Sequence, residues 1–468
     1  MKHRLAVGLM VAALALPGAA AGARQQDTRA LLKQIEVLRA RLNALEKKVR
    51  ERSPSPGKPA TGAAKAAGGE RGKKPAAQGA VSGAVTGTPY ARRRTGTRTG
   101  KPAAAAKAAS KAPGKSAGQA RPIKIGGALW LNYARKSYVQ ADRRKGGNLG
   151  FDLFRLDVNG SLDNILISAQ YRWYSYMNVV HHAWLGYKFS KQWQGQVGIT
   201  QVPFGLLPYA SHNYWFGVPY YMGLEDDYDT GLKFVGRQGP WKLDLAFFKN
   251  AEWGNPAKLD RYSFDVVTQG SQANEETNQL NARVAYTFGA PKGDRAVLGL
   301  SGEWGQLYNA TTHGMGEHWA AAAHVNGYYG PWNLQLEAVR YRYNPHNPAG
   351  VSDGSVLMGA FGTSHLVASE GNLWIANVAR SFPVSWGPVR KLTCYNDFSL
   401  LDKATSGWPD SKINTTGCLI HAGPVYTYVD LIKGKNMPLL GGAGDAMAQA
   451  SGGGGWNTRF NINMEYYF

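Results

Sequence analysis

The last thirteen residues alternate strictly between two kinds of side chain. One face is apolar and largely aromatic, with Trp456, Phe460, Ile462, Met464, Tyr466 and Phe468. The other face is mostly polar, with Asn457, Arg459, Asn461, Asn463, Glu465 and Tyr467. A period of two predicts a β-strand, because successive side chains of a strand point to opposite faces. A strand of this length with aromatic ends and one apolar face is typical of a transmembrane β-barrel.

The same alternation recurs upstream, in segments beginning at Trp241, Leu280 and Val425. A soluble β-sandwich with one wet face is the competing fold, but its strands would be nearer five or six residues. Its connections would also follow no rhythm. About sixteen strands are predicted to begin near residues 124, 151, 166, 179, 193, 230, 241, 279, 295, 317, 332, 370, 390, 414, 424 and 457.

The predicted connections alternate in length along the chain. The long set is 135–150, 201–229, 250–279, 306–316, 344–369, 403–413 and 434–456. The short set is 161–165, 190–192, 237–240, 290–294, 329–331 and 422–423. The connection near 178 is too short for the long set, and 381–389 is somewhat long for the short one. An even strand count with long loops on one side predicts an all-β fold, an outer-membrane barrel over residues 121–468.

The N-terminus predicts export from the cytoplasm. Lys2 and Arg4 precede an apolar run from Leu5 to Leu16, and small residues lead up to Ala23. This pattern identifies residues 1–23 as a secretory signal peptide, because the apolar run is too short to span a membrane as an anchor. We therefore expect a cell outer membrane protein whose N-terminal arm lies in the periplasm.

A short helix is predicted over residues 24–52. Its apolar seam follows alternating spacings of three and four residues, with Leu31, Ile35, Leu38, Leu42, Leu45 and Val49. This register is that of a coiled coil, and an isolated helix of such length is marginal in water. We expect the seam to be buried against copies of itself. An amphipathic helix packed on its own domain is the alternative.

Residues 53–120 are predicted to be a disordered linker. They are rich in Ala, Gly, Pro, Lys and Ser, and they carry 13 Lys or Arg against a single acid, Glu70. Such a segment buries too little apolar surface to offset its ordering entropy. Contact with cell-wall carboxylates is possible, although a solvated tether is favoured. Residues 121–468 hold 30 basic and 26 acidic residues, which argues against nucleic-acid binding by the folded unit.

Several short stretches resemble a known group of porins. The run 183–187, then Val197-Gly198 and Val202-Pro203-Phe204-Gly205, resembles the outer-membrane porins grouped with the phosphate-selective O and P porins. The segments 395–397, 428–430 and 434–436 resemble dicarboxylate porins that carry a periplasmic coiled coil. Phe468 resembles the terminal signal read by the barrel assembly machinery. The resemblance implies a homotrimeric channel of sixteen strands whose lumen is narrowed by the loop 201–229.

The predicted constriction loop departs from the phosphate-selective pattern, because residues 201–229 contain no Lys or Arg. Phosphate selectivity is therefore not expected. The candidate constriction residues are Pro203, Phe204, Tyr209, Tyr214, Trp215, Phe216, Tyr220, Tyr221, Glu225, Asp226, Asp227 and Asp229. The aromatic members could offer stacking faces to sugars or aromatic carboxylates. Packing of the loop against the barrel wall is the favoured interpretation.

Alternation also assigns charged residues to the lumen. The cations are Arg155, Arg172, Lys188, Lys233, Lys242, Arg283 and Arg459. The anions are Asp157, Asp244, Asp430 and Glu465. The excess of cations predicts a weak anion preference, since rings of charged side chains set the selectivity of pores.

Metal and disulfide chemistry are the remaining candidates. The acids at 225–229 could hold Ca²⁺ through carboxylate oxygens, but a solvated acidic turn, or one that faces lumen arginines, is favoured. No metal site and no cofactor are predicted, because His181 and His182 lack the helical spacing of a metal pair. Cys394 and Cys418 lie on opposite arms of one predicted hairpin, so a disulfide is expected in this oxidising compartment.

Arg340 and Arg342 fall on the apolar face of their predicted strand. They would either meet lipid phosphates at its outer end, or be turned into the lumen by a β-bulge.

The function predicted from the sequence is passive diffusion of small hydrophilic solutes through an outer-membrane porin surrounded by lipid. No enzymatic activity is expected. One rival is an envelope-tethering protein, with the barrel as an anchor and the basic arm on the cell wall. The other is a barrel-borne hydrolase, for which no convincing catalytic cluster is found.

Overall fold

A computed structural model describes residues 123–290, 293–451 and 454–468. The predicted signal peptide, the coiled-coil helix and the basic linker lie outside the described residues. They remain predictions.

The described part of the chain forms nineteen strands and one short helix, α1 (Gln140–Lys145). The strands are β1 (Lys124–Lys136), β2 (Asn148–Leu162), β3 (Ile165–Tyr174), β4 (Asn178–Lys188), β5 (Trp193–Gln201), β6 (Tyr228–Gln238), β7 (Trp241–Ala251), β8 (Asp265–Val266), β9 (Asn274–Gly289), β10 (Arg295–Asn309), β11 (Met315–Tyr329), β12 (Trp332–Asn344), β13 (Ser355–Ala360), β14 (Thr363–Ala368), β15 (Glu370–Trp386), β16 (Val389–Lys403), β17 (Ser411–Ala422), β18 (Val425–Lys435) and β19 (Trp456–Tyr467). Short 3₁₀ turns occupy Val218–Met222 and Pro438–Leu440.

Sixteen of these strands close into one antiparallel barrel, which confirms the predicted fold class. The barrel closes where β1 pairs with β19, from Ala128 opposite Tyr467 to Lys136 opposite Arg459. Phe468 extends this seam, because its N–H and its carbonyl both bond to the backbone of Gly127 at 3.1 Å. Closure leaves no free sheet edge, as a barrel in hydrocarbon requires.

The alternating side chains of the strands lie on the outer and inner faces of the barrel. Large apolar side chains are exposed around the barrel, for example Leu129, Leu185, Leu232, Leu245, Leu280, Leu300, Trp374, Leu431 and Phe460. On β19 the intervening Arg459, Asn461, Asn463 and Glu465 are buried. An apolar exterior around a buried polar interior is the arrangement of a membrane-spanning barrel. Among the described residues, no helix is long and apolar enough to cross a membrane.

The connections keep the predicted rhythm, with three corrections. The connection predicted at 306–316 shrinks to five residues, 310–314, because β10 and β11 extend further than their patterns indicate. The connection at 381–389 shrinks to 387–388, because β15 continues to Trp386 past Pro383. Finally, β8, β13 and β14 form a separate three-stranded sheet within the loops, which the sequence analysis missed.

Arg340 and Arg342 lie on the outer face of β12, which pairs continuously with β11 and β15. No bulge turns them into the lumen. Both approach Glu370, whose Oε2 is 3.8 Å from Nε of Arg342 and whose Oε1 contacts Arg340. A carboxylate at the strand end therefore partners these outward cations.

A disulfide joins Cys394 on β16 to Cys418 on β17, which face each other across the hairpin with Cα atoms 4.0 Å apart. The bridge closes a loop with a sequence separation of 24 residues. The two strands are paired on both sides of the bridge, from Lys391 to Leu401.

Replacing both cysteines by serine is expected to lower the free energy of unfolding by about 3 kcal/mol, because the unfolded chain regains its loop entropy. The barrel should still close, since the ladder does not depend on the sulfurs. Urea unfolding in detergent micelles, with and without reductant, measures the loss. Reductant should destabilise the natural chain and leave the double variant unchanged; equal stability of the oxidised and reduced natural chain would contradict the prediction.

Candidate pore and constriction

The loop 202–227, called the inner loop below, leaves and re-enters the barrel at one point, because Gln201 at the end of β5 pairs with Tyr228 at the start of β6. Of the candidate constriction residues, Tyr209 alone is half-buried. The others are buried: Pro203, Phe204, Tyr214, Trp215, Phe216, Tyr220, Tyr221, Glu225, Asp226, Asp227 and Asp229. The inner loop is therefore enclosed by the rest of the protein.

The inner loop bonds to strands that are distant from β5 around the barrel, and the most distant of them, β16, lies opposite β5. Gly205 donates its N–H to Oγ of Ser301 on β10 at 2.9 Å, and Leu206 donates to Oε2 of Glu337 on β12 at 2.7 Å. Further along, Val218 donates to Oγ of Ser399 on β16 at 2.8 Å. Buried backbone N–H groups must find acceptors, and here the wall supplies them. Since the loop starts at β5, these contacts take it across the lumen.

Asp397 on β16 makes several hydrogen bonds to the inner loop. Its Oδ2 accepts hydrogen bonds from the N–H of His212 at 2.6 Å, from the N–H of Asn213 at 3.1 Å and from Nδ2 of Asn213 at 2.8 Å. Its Oδ1 lies 2.7 Å from Nδ1 of His212, while Nε2 of that ring lies 2.6 Å from Oδ1 of Asn333. Burial opposes protonation of His212, but the Asp397 carboxylate outweighs it and raises the pKa of the imidazole.

The aromatic residues of the inner loop form a packed cluster with other loops. Phe216 stacks on Tyr220 with ring centroids 4.4 Å apart, and Tyr220 meets Phe264 edge-on at 5.8 Å. Phe361, from the β13–β14 turn, lies 6.3 Å from Tyr220. These faces are covered, so packing accounts for the aromatic residues better than stacking on a solute.

The four acids at the end of the inner loop are buried, so the expected solvated turn is wrong. Burial raises the pKa of Glu225 well above its usual range, and the charge of Glu337 raises it further. Burial also raises the pKa of Asp226 to about 7, although Tyr262 and Arg172 oppose the rise. Tyr262 donates its hydroxyl to Asp226 at 2.6 Å. The alternative in which the acids face lumen arginines therefore fits Asp226.

The predicted lumen charges lie on the inner faces of their strands. Arg155 pairs with Asp157 at 2.7 Å and lies opposite Arg172 on the next strand. Arg172 covers the ring of Tyr262 at 4.6 Å, and Arg459 covers the ring of the loop residue Trp215 at 4.3 Å.

A second ionic group lies on β6, β7 and β9. Asp244 is 3.0 Å from Nζ of Lys242 and 3.5 Å from Nη1 of Arg283, whose Nε donates to the carbonyl of Gly205 in the inner loop at 2.7 Å. Lys233 donates to the carbonyl of Gln201 at 2.7 Å.

The remaining predicted lumen charges differ in exposure. Asp430 and Glu465 are fully buried, and they accept bonds from Tyr395 at 2.6 Å and Asn463 at 2.7 Å. Lys188 is exposed near the short-loop end of β4. Water therefore reaches only some of the charges that alternation assigns to the lumen.

His181 and His182 lie side by side on β4, with their Nδ1 atoms 2.9 Å apart. Nε2 of His182 is 2.9 Å from Oγ of Ser168. His212 belongs to the separate Asp397 group. The three histidines therefore do not converge.

Comparison with known proteins gives structural neighbours only. No protein-family model and no curated protein matches this chain. The outer membrane channel DcaP of Acinetobacter baumannii matches with a TM-score of 0.50 at 10% identity, over 76% of this chain and 99% of that one. An anion-selective porin from Comamonas acidovorans matches with a TM-score of 0.48 at 12% identity, over 75% of this chain and 100% of that one.

The fold is that of an outer-membrane channel. At this level of identity the likeness concerns the barrel and its architecture, and not the solute.

Sequence reasoning missed the residues that hold the inner loop. Glu337, Asp397 and Ser399 lie on inner strand faces, and alternation could have placed them there. Their role depends on which loop atoms reach them across the barrel, and strand periodicity carries no such information. One signal was present, since Asp397 belongs to the segment Tyr395-Asn396-Asp397 that resembles the dicarboxylate porins.

Proposed function

We propose that the protein is an outer-membrane porin that admits small hydrophilic solutes by passive diffusion past the inner loop. The observation that supports this proposal is the closed sixteen-stranded barrel and the loop 202–227 inside it, which bonds to β10, to β12 and to β16, the strand opposite β5. A barrel that served only as an anchor would not need an interior loop fixed at so many points. The proposal assigns passage of solutes and no covalent chemistry.

We further propose a weak anion preference, because the charges that touch water set selectivity. Several inner-face acids are engaged by the inner loop, including Glu337 and Asp397. Among the residues assigned to the lumen, Lys188 is exposed, the side chain of Lys242 is 28% exposed and that of Asp157 is 17% exposed. The solvent-exposed charges of the lumen therefore favour the passage of anions slightly.

The reversal potential of the channel in a planar bilayer under a KCl gradient is expected to show a small preference for chloride. Lys188→Gln should shift the potential toward cations, because it removes an exposed positive charge. Asp157→Asn is the matched opposite variant and should shift the potential toward anions, since it removes a negative charge that water reaches. A cation preference of the natural channel would overturn the assignment of selectivity.

The assembly is proposed to be a homotrimer embedded in outer-membrane lipid. Support comes from the porin resemblance and from the apolar seam at 31–49, which needs a partner. Contact of the basic linker with the cell wall is a further proposal, favoured by its positive charge alone.

A further inference from the structure

Three buried carboxylates converge at the base of the inner loop. Asp227 ends that loop, Asp229 is the second residue of β6, and Asp265 begins the two-residue strand β8 in the next long loop. One oxygen from each lies within 4.8 Å of the others. Asp227 is 7% exposed, and Asp229 and Asp265 are each 1% exposed. Such proximity among buried carboxylates is unfavourable while they are ionised, unless a positive charge compensates them.

The protein supplies one compensating group at this place. Arg261, itself fully buried, pairs with Oδ2 of Asp265 at 2.8 Å. Within the described residues, Oδ1 of Asp265 and Oδ1 of Asp229 are buried and have no hydrogen-bond partner. One guanidinium therefore serves three carboxylates, and two of their oxygens remain open.

Neighbouring acids do not relieve the cluster, because their own bonds are made elsewhere. Glu252 accepts the N–H groups of Tyr262 and Ser263, each at 3.0 Å. Glu276 accepts the N–H of Val266 at 3.1 Å. Neither acid therefore compensates the charges of the cluster.

We propose that Asp227, Asp229 and Asp265 bind one Ca²⁺ ion, which fastens the inner loop to the barrel wall and to the loop that carries β8. Ca²⁺ takes oxygen ligands at 2.3–2.6 Å, so opposed ligands lie up to about 5 Å apart. A group of oxygens within 4.8 Å of one another fits that span.

The ion would have a structural role at the constriction. Its ligands come from three places in the chain, namely the end of the inner loop, β6 and β8. Oxygen of Asp227 already accepts the N–H of Tyr228 at 2.8 Å, which fixes the position of its carboxylate. The inference concerns a binding site, and it stands whether or not the barrel conducts solutes.

The test uses the full-length protein in detergent, stripped with EGTA and then titrated with CaCl₂. Calorimetry should show one saturable site per chain, and Ca²⁺ should raise the Tm. Asp229→Asn and Asp265→Asn should each weaken binding by about tenfold or more, because charge count sets Ca²⁺ affinity. Asp353→Asn, which neutralises an exposed acid on another loop, is the matched control and should bind as the natural chain does.

The change in Tm caused by Asp229→Asn, measured with and without Ca²⁺, distinguishes a cluster that binds an ion from one whose carboxylates only repel one another. In EGTA, Asp229→Asn should leave the Tm unchanged or raise it, because a repulsive charge is removed. In Ca²⁺ the same variant should fall below the natural chain. Absence of a saturable site, or an equal response of Asp229→Asn and Asp353→Asn to Ca²⁺, overturns the proposal. If neither cluster variant folds into a barrel, the number of Ca²⁺ ions bound per natural chain decides: one supports the proposal and none overturns it.

Discussion

Replacing residues 206–223 by a short glycine–serine bridge is expected to raise the single-channel conductance several-fold. The segment holds the packed aromatic cluster and crosses the lumen to β16, so its removal widens the narrowest part of the water path. Gln201 and Tyr228 are paired neighbours, and a short bridge can therefore join the shortened ends without disturbing β5 or β6. The deletion leaves Asp227 and Asp229 themselves in the chain.

Conductance in a planar bilayer measures this effect, and the shift of migration on heating shows that the barrel has folded. The same bridge substituted for residues 346–351, an exposed part of another long connection, is the matched control and should leave the conductance nearly unchanged. The ladder of sixteen strands does not include either segment. Equal conductance of the inner-loop variant and the natural chain would mean that solutes pass elsewhere, and it would sink the proposed constriction.

The barrel could be predicted from the sequence because its determinants are local. In β19 the polarity of each residue and its place in the alternation assign it to a face of the barrel. Arg459 and Glu465 could therefore be placed inside, and Phe460 outside, without knowing which strands pair with β19. The hairpin of Cys394 and Cys418 was accessible for the same reason, since its turn lies midway between them. Sheet registers follow once these faces and turns are known.

The contents of the barrel could not be predicted in this way, because they depend on contacts between distant segments. Asp397 binds His212 across 185 positions of sequence, and Glu337 binds Leu206 across 131. The acids 225–229 look like a solvated turn in sequence, yet β8 and the aromatic cluster cover them. The composition of the inner loop shows that it is aromatic and acidic, but it does not show which other segments bury these residues.

In β15 the local sequence pattern itself is misleading, and it predicts a longer connection after the strand than the structure has. Its alternation is weak, and Pro383 suggests an end to the strand, because proline cannot donate to a ladder. The strand nevertheless continues to Trp386, with a register shift after Pro383 that absorbs the irregularity. The shortened turn at 387–388 then restores the rhythm of long and short connections.

Asp244→Ala is expected to lower the free energy of unfolding by about 3–5 kcal/mol, because it takes from the buried Arg283 the carboxylate with which it pairs. The carboxylate is fully buried between Lys242 at 3.0 Å and Arg283 at 3.5 Å, with side chains 28% and 5% exposed. Arg283 cannot retreat to water, since it also holds the carbonyl of Gly205. The damage should therefore reach the inner loop as well as β7.

Urea unfolding in detergent micelles measures the loss, and the reversal potential supplies a second readout. Removing this acid should strengthen the chloride preference, because the uncompensated Lys242 borders water. Asp163→Asn, an exposed carboxylate in the β2–β3 turn, is the control and should change neither quantity. Asp244→Asn should lose less stability than Asp244→Ala, since the amide oxygen still accepts a hydrogen bond. A natural-like stability of Asp244→Ala would mean that Asp244 does not stabilise the cations of β6, β7 and β9.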